Sequence, residues 1–435
     1  MRICASLSKA GDLACAADAD MIEIRLDLLG SVPDVGDVPA VITFRDGFDA
    51  SLLPGGFKGY VDVGEGAVPD ISAGTISSYH DYDGTPSSAD IADRLGRMVS
   101  DIAKGAYSVR DFRDLAGILS ASESLDKEHV LLGMGTMGTI TRIRQSVLGN
   151  SFTFAYVSEP TAPGQLSLKE MRAMGDDCVI TGLVGHPLDR SRSQSMHDAA
   201  YRVSDIRGKY LTFPSPSLDL IGECIRGYDI RGLNVTVPYK TDVIEHLDRL
   251  SGDAEEVGAV NTVVNDSGIL RGHNTDIDGV MGAFEMADCE IDGLKALILG
   301  SGGGARACAV ALMREGAEVT VTGRNPGTLS GMASDMGVST IPQRRADVKD
   351  YDIIANATPI GMYAEGEYPA DIGNLTEHHI VFDMVYGTRT RLMDAATSRG
   401  CRTVAGEDML AAQGARSFEL WTGRGDMFPI MRAEL

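Results

Sequence analysis

The stretch Leu297-Ile-Leu-Gly300-Ser301-Gly302-Gly303-Gly304-Ala305-Arg306-Ala307 decides the fold of the C-terminal part of this chain. A short apolar run passes into a glycine cluster and then into residues 305–314, which favour a helix. Glycines let a backbone approach a pyrophosphate closely, and the N–H groups at a helix N-terminus attract its charge. This order predicts a strand, a turn and a helix that bind a dinucleotide through residues 300–304. A tight structural turn is the alternative.

The next predicted strand, residues 318–322, leads into Gly323-Arg324-Asn325. An acidic residue at this place would bond the ribose 2′-hydroxyl of NAD, whereas an arginine can pair with the 2′-phosphate of NADP. Arg324 therefore favours NADP, although an isolated surface arginine would carry no such meaning.

Three upstream segments place a lysine, an aspartate and several amide and hydroxyl groups on loops. They are Gly232-Leu-Asn234-Val-Thr236-Val-Pro238-Tyr-Lys240, Gly258-Ala-Val-Asn261-Thr262 and Gly272-His-Asn274-Thr275-Asp276. A lysine beside a carboxylate can move a proton to or from an alcohol oxygen while a nicotinamide exchanges hydride with its carbon. A solvated Lys–Asp surface pair is the ordinary alternative.

From about residue 179 to the end, these motifs resemble shikimate dehydrogenase. The block Gly185-His-Pro187-Leu-Asp-Arg190-Ser191-Arg-Ser193-Gln194-Ser-Met-His197 is similar to the family's loop for the shikimate carboxylate, and Gly406-Glu-Asp-Met409-Leu-Ala-Ala-Gln413 to its closing helix. The resemblance makes Lys240 the acid/base and Asp276 its partner. It implies substrate binding by Ser191, Ser193, Thr236, Asn261, Tyr386 and Gln413. It implies cofactor binding by Gly300, Ser301, Gly302, Gly303, Gly304, Arg324, Met384 and Gly406.

The N-terminal part contains eight short apolar runs, some separated by helical stretches such as 89–100 and 109–121. The runs are residues 2–6, 21–25, 41–44, 59–63, 75–79, 103–108, 130–133 and 152–157. Eight strands alternating with helices predict a (β/α)8 barrel. The connections after the second, third and fourth strands approach the minimum of about 10–12 residues for a crossover with its helix. We therefore expect a shortened barrel whose one side is thinly covered or capped by a partner.

Two side chains stand out at neighbouring predicted strands of this barrel. His80 follows the run 75–79, and Lys104 lies in the run 103–108. A lysine can attack a ketone to form a Schiff base if its ordinary pKa near 10.4 is lowered. The protonated imine acidifies the adjacent C–H, and a histidine nearby can take that proton. A satisfied turn histidine is the alternative for His80 by itself.

Several arginine-bearing blocks end or follow strands in the same region. They are Glu23-Ile-Arg25-Leu-Asp27, Thr43-Phe-Arg45 and Thr139-Ile-Thr-Arg142. Arginines there can hold a carboxylate and hydroxyls through paired hydrogen bonds. With Ser77-Ser-Tyr-His80 and Thr161-Ala-Pro-Gly-Gln165, these blocks resemble type I 3-dehydroquinate dehydratase over residues 2 to about 172. The resemblance makes Lys104 the Schiff-base lysine and His80 the proton carrier. It implies substrate binding by Ser6, Glu23, Arg25, Arg45 and Arg142, with Thr161 and Gln165 on a lid.

The α/β chain is thus expected to hold a shortened barrel and then a two-lobed shikimate-dehydrogenase-like unit with a Rossmann domain for NADP. The predicted domains are 1–175 for the dehydratase-like barrel, 178–277 for substrate binding and 278–405 for the cofactor. Residues 406–435 are predicted to form a helical segment that packs back on the substrate domain.

Composition limits the partners. The net charge of −23 argues against nucleic acid, because phosphate binding needs clustered lysine and arginine. It also means that a site for anionic substrates must carry its own cations. Seven scattered cysteines without CxxC spacing indicate neither a disulfide framework nor a metal site. No apolar run reaches about 18 residues, and the N-terminus lacks a secretory pattern. We expect a cytosolic enzyme with no membrane contact; its assembly, including a homo-oligomer, stays open.

The expected activity is dehydration of 3-dehydroquinate to 3-dehydroshikimate, then NADPH-dependent reduction to shikimate. No tunnel signal accompanies the two sites, so free diffusion of the intermediate is the default. Alternatives are an active reductase with a weak or inactive dehydratase domain, and a catabolic quinate/shikimate dehydrogenase that uses NAD. A metabolite sensor built on inactive copies of these folds is disfavoured by the chemically active side chains.

Overall fold

The computed structural model describes residues 1–45, 47–361, 368 and 370–435. The chain divides into two compact units. The first contains Met1–Leu188 and Ile206–Ile230, and the second contains Asp189–Asp205 and Arg231–Leu435. The predicted domain boundaries follow sequence motifs rather than packing, and they stay a prediction.

The first unit is built on a nearly closed barrel of eight parallel strands. The strands are β1 Ile3–Leu7, β2 Met21–Arg25, β3 Ala40–Thr43, β4 Tyr60–Asp62, β5 Gly74–Asp81, β6 Ile102–Ser108, β7 His129–Met134 and β8 Thr153–Tyr156. Their order in the sheet is β7-β6-β5-β4-β3-β2-β1-β8. The barrel predicted from the apolar runs is confirmed. One detail differs, because His80 lies inside β5 instead of following it.

The helices of this unit are short. They are α1 Leu26–Leu29, α2 Ser88–Gly96, α3 Phe112–Glu123, α4 Ile140–Ile143 and α5 Leu168–Met174. After β3 the connection forms a single 3-10 turn, Ala50–Leu52. Even so, Ile24, Ile42 and Val61 on strands β2 to β4 are fully buried within the chain itself. Other parts of the chain therefore cover these positions on the side that we expected to be thin.

The first unit also contains a parallel strand pair, β9 Val179–Val184 and β10 Gly208–Phe213, together with α7 Ile221–Gly227. The second unit begins with α6 Ser193–Val203. It continues through β11 Ile230–Val235, β12 Arg249–Leu250, α8 Gly252–Val257, β13 Thr262–Asp266, β14 Ile269–His273 and α9 Asp276–Met286. Strand β13 pairs antiparallel with β11 and with β14.

The rest of the second unit is a parallel sheet with helices. Its strands are β15 Lys295–Leu299, β16 Glu318–Gly323, β17 Ser339–Pro342, β18 Ile353–Asn356, β19 Ile380–Asp383 and β20 Arg402–Ala405. Its helices are α10 Gly303–Arg314, α11 Pro326–Met336, α12 Arg391–Ser398, α13 Gly406–Thr422 and α14 Phe428–Arg432. The strand order β17-β16-β15-β18-β19-β20 is the 3-2-1-4-5-6 order of dinucleotide-binding sheets. The Rossmann prediction is therefore confirmed.

Helix α13 packs along α9 within this unit. The approach is close at Gly279, where an added Cβ would stand 2.9 Å from the carbonyl oxygen of Met409. Among the described residues, no helix is long and apolar enough to cross a membrane.

Candidate active sites

A cavity of about 250 Å³ lies at the carboxyl ends of the barrel strands. It is lined by nearly all the residues predicted for the dehydratase site: Glu23, Arg25, Arg45, His80, Lys104, Arg142, Thr161 and Gln165. Four of these, Arg25, Arg45, Lys104 and Arg142, are cationic side chains, so the cavity supplies the local cations that an acidic chain needs for an anionic substrate. A wider, shallower depression of about 620 Å³ surrounds Glu128 and Leu148 elsewhere on the barrel. None of the predicted site residues lines it.

Lys104 lies at the base of the cavity, buried on β6 with its side chain 5% exposed. Its Nζ is 3.1 Å from Asp62 Oδ2 and 4.0 Å from Glu23 Oε1. It also lies 4.4 Å from the ring centroid of Phe154. The amine is thus shielded from bulk water and held between two carboxylates and an aromatic face.

Asp62 is a residue that the sequence interpretation missed. Burial alone would raise its pKa, but the Lys104 ammonium and hydrogen bonds from Ser78 Oγ and the Gly64 N–H hold the pKa below its ordinary value. Asp62 therefore stays ionised as a counter-ion for Lys104. The sequence did contain an indication of it. Asp62 is a single charged residue between Val61 and Val63 in an apolar run, and Lys104 was identified from the same kind of pattern.

Glu23 is fixed by two hydroxyls. Ser6 Oγ donates to Glu23 Oε2 at 2.5 Å, and Thr43 Oγ1 donates to Glu23 Oε1 at 2.9 Å. Ser6 is fully buried and does not line the cavity. The structure thus places Ser6 beneath Glu23, where it orients the carboxylate.

His80 stands one inward-facing position beyond Lys104. The register pairs Ser78 with Lys104 and His80 with Ala106 on neighbouring strands. Two guanidinium nitrogens of Arg45 lie 3.3 Å from His80 Nδ1 and 3.2 Å from Nε2. Burial, then the charges of Lys104 and Arg45, lower the pKa of His80 to about 3. The imidazole is therefore neutral at physiological pH and able to accept a proton.

The other two arginines have different surroundings. Arg25 pairs with Asp27 through two hydrogen bonds of 2.8 and 2.5 Å. Arg142 is 2% exposed, and among the described residues its Nε has no hydrogen-bond partner. Its Nη2 lies 3.5 Å from the carbonyl oxygen of Pro163. Burial lowers the pKa of Arg142 to about 10, so the group keeps its charge at neutral pH.

Thr161 and Gln165 lie in the loop between β8 and α5. Gln165 Oε1 accepts from the Thr161 N–H at 2.7 Å and from Thr161 Oγ1 at 3.1 Å. The loop is thus closed on itself at the cavity rim, where the predicted lid was expected.

In the second unit, Lys240 and Asp276 meet as predicted. Lys240 Nζ is 2.5 Å from Asp276 Oδ2, with the two side chains 19% and 5% exposed. Asp276 is the first residue of α9, and its N–H donates to Asn274 Oδ1 at 3.1 Å. This geometry removes the alternative of a solvated surface pair.

Asn261 holds the other oxygen of this carboxylate. Its Nδ2 donates to Asp276 Oδ1 at 2.8 Å, while its Oδ1 accepts from the Thr275 N–H at 2.7 Å. Gln413 Oε1 lies 3.4 Å from the same Nδ2. The amide orientation is therefore set by the backbone, and the amide keeps Asp276 facing Lys240.

A buried hydroxyl cluster behind Asn261 was not predicted. Thr262 Oγ1 lies 3.1 Å from Asn261 Oδ1 and 2.8 Å from Ser417 Oγ, and Asn234 Nδ2 donates to Ser417 at 2.9 Å. A serine inside a helix such as α13 is ordinary, so no sequence signal marked it.

The remaining predicted substrate residues lie in the same unit. Ser193 begins α6 and is buried, and its N–H donates to Ser191 Oγ at 3.2 Å. Thr236 is half-buried in the loop before Lys240, and Tyr386 is half-buried after β19.

The glycine turn fits a dinucleotide on geometric grounds. Gly300 has φ 121°, and a Cβ there would stand 2.9 Å from the Ala357 carbonyl oxygen. Gly302 extends into open space, where an added Cβ would meet nothing within 4 Å. A backbone with this bare surface at the start of α10 is what a pyrophosphate requires.

Two further predicted cofactor residues adjoin this turn. A Cβ on Gly304 would lie 3.5 Å from Met384 Sδ. At Gly406, a Cβ would lie 2.6 Å from the carbonyl oxygens of Asp383 and Val385, so a larger residue would displace the end of β19. The predicted turn, Met384 and the start of α13 therefore lie together.

Arg324 is exposed directly after β16. A Cβ on Gly323 would stand 3.3 Å from Ser301 Oγ, and Ser301 Oγ lies 2.6 Å from Thr328 Oγ1. Arg324 thus follows a strand end that adjoins the glycine turn, where the adenosine ribose is bound in dinucleotide folds. Among the described residues, no cluster of three His, Cys, Asp or Glu side chains could hold a metal ion.

Three family models match the chain. Type I 3-dehydroquinase matches residues 68–175. The shikimate dehydrogenase substrate binding domain matches residues 183–263, and the shikimate 5′-dehydrogenase C-terminal domain matches residues 406–425.

Individual relatives agree. The shikimate dehydrogenase (NADP(+)) of Carboxydothermus hydrogenoformans is 34% identical over 265 residues, which cover 58% of this chain and 95% of that protein. The structure of Thermus thermophilus shikimate 5-dehydrogenase with NADP(H) and shikimate is 32% identical, with a TM-score of 0.54 over 59% of this chain and 100% of the other. Corynebacterium glutamicum quinate dehydrogenase with NAD is 31% identical, with a TM-score of 0.53 over 59% and 98%. The chain therefore belongs to the shikimate dehydrogenase family and carries a type I 3-dehydroquinase domain ahead of that part.

Proposed function

We propose that this protein is a bifunctional shikimate-pathway enzyme that dehydrates 3-dehydroquinate and reduces the resulting 3-dehydroshikimate to shikimate with NADPH. The observation that carries the proposal is that each unit holds a lysine at a chemically competent site. Lys104 lies in a cationic cavity next to a neutral histidine, and Lys240 lies against a buried aspartate beside a glycine turn.

In the dehydratase, Lys104 adds to the substrate ketone and water leaves, which forms an iminium. His80 takes a proton from the adjacent carbon. The hydroxyl one carbon further on then leaves as water with the proton that His80 returns. Hydrolysis of the iminium releases the enone and restores the amine. Removal of the proton by His80 turns the cationic iminium into a neutral enamine, and loss of water restores the iminium. Asp62 and Glu23 provide negative charge beside the nitrogen whenever it is cationic.

The substrate carboxylate is the natural partner for Arg142. A fully buried guanidinium is costly unless its donors find acceptors, and the Nε of Arg142 has none within the described residues. A carboxylate can satisfy two guanidinium N–H groups at once. Arg45 and Arg25, at the rim, can contact the hydroxyls.

In the reductase, Lys240 gives a proton to the ketone oxygen as it becomes an alcohol. Asp276 holds the ammonium in place, and Asn261 holds Asp276. NADPH, when bound by residues 300–304, supplies the hydride. Ser191 and Ser193 bind the substrate carboxylate, with Thr236, Tyr386 and Gln413 around the ring.

NADP is preferred over NAD in this proposal because Arg324, and not an acidic residue, follows β16. A quinate dehydrogenase with NAD is also among the similar structures. The reading as a catabolic enzyme is not better supported than the biosynthetic one. The reading with an inactive dehydratase is disfavoured, since Lys104, His80 and Arg142 all line the cavity.

We further propose a cytosolic location and small-molecule partners alone, without nucleic acid or membrane. The seven cysteines are all free thiols in the structure, which suits a reducing compartment. The oligomeric state, including a homo-oligomer, stays open.

Borohydride trapping tests the dehydratase assignment. Borohydride added with 3-dehydroquinate should reduce the iminium and leave a covalent adduct on Lys104 that mass spectrometry locates. Lys104→Ala should abolish dehydration and leave reduction intact, and Lys240→Ala should do the reverse. An adduct on Lys58 or Lys127 would reject the placement of the site.

Steady-state assays with four pairs test the reductase assignment: shikimate or quinate, each with NADP or NAD. We expect shikimate with NADP to give the highest kcat/KM. Preference for quinate with NAD would favour the catabolic alternative.

A further inference from the structure

Arg144 joins the barrel to the segment 206–230, which follows the barrel in the chain. Its Nε donates to the Tyr228 carbonyl oxygen at 2.9 Å, and its Nη2 donates to the Asp229 carbonyl oxygen at 2.9 Å. Its Nη1 donates to the Asp176 carbonyl oxygen at 2.6 Å. The side chain is 5% exposed. The guanidinium therefore caps the C-terminal end of α7, where a cation is favoured.

Arg144 is two residues from Arg142, which faces the dehydratase cavity. Helix α4 ends at Ile143, so both arginines belong to one tight turn of backbone. Two residues span at most about 7 Å, so a shift of the Arg144 backbone is felt at the Arg142 backbone.

Arg142 has little hydrogen bonding of its own to hold it. Within the described residues, its guanidinium makes one hydrogen bond, the 3.5 Å contact with the Pro163 carbonyl oxygen. The position of its guanidinium therefore depends on packing and on where its backbone lies. On one side that backbone is tied to the barrel by Thr141 Oγ1, which accepts from the Gly133 N–H at 2.8 Å. On the other side it is tied by Arg144.

The segment that receives Arg144 is itself firmly attached to the barrel. Tyr228 Oη donates to the Leu115 carbonyl oxygen at 2.8 Å, and Cys224 Sγ to that of Phe112 at 3.2 Å. The ring of Phe213 stacks on that of Phe112 with a centroid separation of 5.8 Å. The segment is thus a fixed support for Arg144.

We propose that Arg144 is a positioning residue for the dehydratase: it transmits the support of segment 206–230 to Arg142 and so sets the affinity for the substrate carboxylate. The segment overlaps the part that matches the shikimate dehydrogenase substrate binding domain. A part of the chain that resembles the reductase therefore supports, through Arg144, the substrate site of the dehydratase. The proposal rests on the dehydratase activity proposed above.

The test uses the full-length enzyme with Arg144→Met, which keeps the apolar stem and removes the donors, and Arg144→Lys, which keeps a charge and part of the hydrogen bonding. KM and kcat for 3-dehydroquinate, the reductase kcat/KM and the melting temperature are measured for each. We expect the Met variant to raise the dehydratase KM about tenfold, because a misplacement of about 1 Å can cost up to about 100-fold and the shift passed on to Arg142 is smaller. The kcat should stay within about twofold, since Lys104 and His80 keep their places. The Lys variant should lie between it and wild type, and reduction should be unchanged.

Arg113→Met is the matched control. Arg113 Nε also reaches the segment, through Asp219 Oδ2 at 2.9 Å, but both side chains are more than half exposed and neither lines the cavity. This variant should keep the wild-type dehydratase KM.

The outcomes separate the two proposals. A wild-type protein without dehydratase activity rejects the proposed function. An active wild type with unchanged KM in Arg144→Met rejects the positioning role alone, as does an equal rise in Arg113→Met. If Arg144→Met loses its melting transition, Arg144→Lys decides: a KM equal to that of wild type overturns the role, and a raised KM with normal reduction supports it.

Discussion

Gly303 lies against Lys240: a Cβ added to Gly303 would stand 3.2 Å from Lys240 Cβ and 3.3 Å from its Cδ. The start of α10 and Lys240, the proposed acid/base, therefore share a packed contact. We predict that Gly303→Ala pushes Lys240 away from Asp276 and lowers the reductase kcat about 10- to 100-fold. Stopped assays with saturating NADPH and 3-dehydroshikimate measure this directly. Dehydration by the same protein should be normal.

Two other glycines provide comparison variants for this prediction. At Gly302 a Cβ would meet nothing within 4 Å, so Gly302→Ala should leave Lys240 in place and instead raise the KM for NADPH. Gly331, inside α11, is equally open and lies outside both sites, so Gly331→Ala should behave as wild type. Equal kcat in the Gly303 variant and wild type would show that the contact does not position Lys240.

The ring of His80 should stay neutral at pH values far below the ordinary pKa of histidine. Burial and two nearby cations lower its pKa to about 3, against an ordinary value of 6.5. We predict no titration of its ring between about pH 8 and pH 5, measured by NMR on protein with labelled histidine and assigned with His80→Gln. A midpoint near 6.5 would contradict the geometry of Arg45 and Lys104 around the ring.

The same shift makes a stability prediction with a definite sign. Below about pH 6.5 the unfolded chain protonates this histidine while the folded chain does not, so folding stability falls as the pH decreases toward about 3. His80→Gln removes that contribution. The melting temperature of the variant should therefore fall less than that of wild type between pH 7 and pH 5, and an equal fall would reject the prediction.

The elements were predictable where side-chain pattern alone determines them. Strand β2, Met21–Arg25, matches the predicted run residue for residue, because a short apolar run is typical of a buried strand. Lys104 was predictable because a charged side chain in an apolar strand is unusual, and His80 because it follows a predicted strand next to the one that holds Lys104.

Other features have no signature in side-chain pattern. Arg144 bonds three backbone carbonyls, and carbonyls are the same for every residue type. The packing of segment 206–230 on the barrel was also missed, since an apolar face does not tell which surface covers it. Strands β2 to β4 were expected to be thinly covered because the connections after them are short. A loop has no periodic apolar pattern, so its sequence does not show how much of a strand it buries.

Arg324 should determine the preference for NADPH over NADH. Arg324→Ala removes the charge available for a 2′-phosphate, and loss of such charge-assisted hydrogen bonds costs about 1.5–3 kcal/mol, which is about 10- to 100-fold in the KM for NADPH. The KM for NADH should stay the same. Arg399→Ala is a suitable control, because Arg399 is an exposed arginine that bonds the carbonyls of Ala395 and Gly373. Equal changes for both cofactors would assign Arg324 a structural role instead.

Asp62 should be a structural counter-ion for Lys104 as well as part of the site. Removing one partner of a buried ion pair leaves an uncompensated charge and costs about 3–5 kcal/mol, whereas removing both is far milder. We therefore predict that Asp62→Asn and Lys104→Met each lower the melting temperature. The decrease for the double variant should be smaller than the sum of the two single decreases. Asp49→Asn, which changes an exposed carboxylate capping a 3-10 turn, provides the reference for a simple charge loss.

The double-mutant cycle is informative because Glu23 lies 4.0 Å from the same amine. If Glu23 were the dominant partner, Asp62→Asn would have a small effect and the cycle would show no coupling. The shorter 3.1 Å distance to Asp62 and its lowered pKa favour strong coupling instead. Additive melting temperatures would mean that Asp62 does not hold Lys104, and the role of counter-ion would then fall to Glu23.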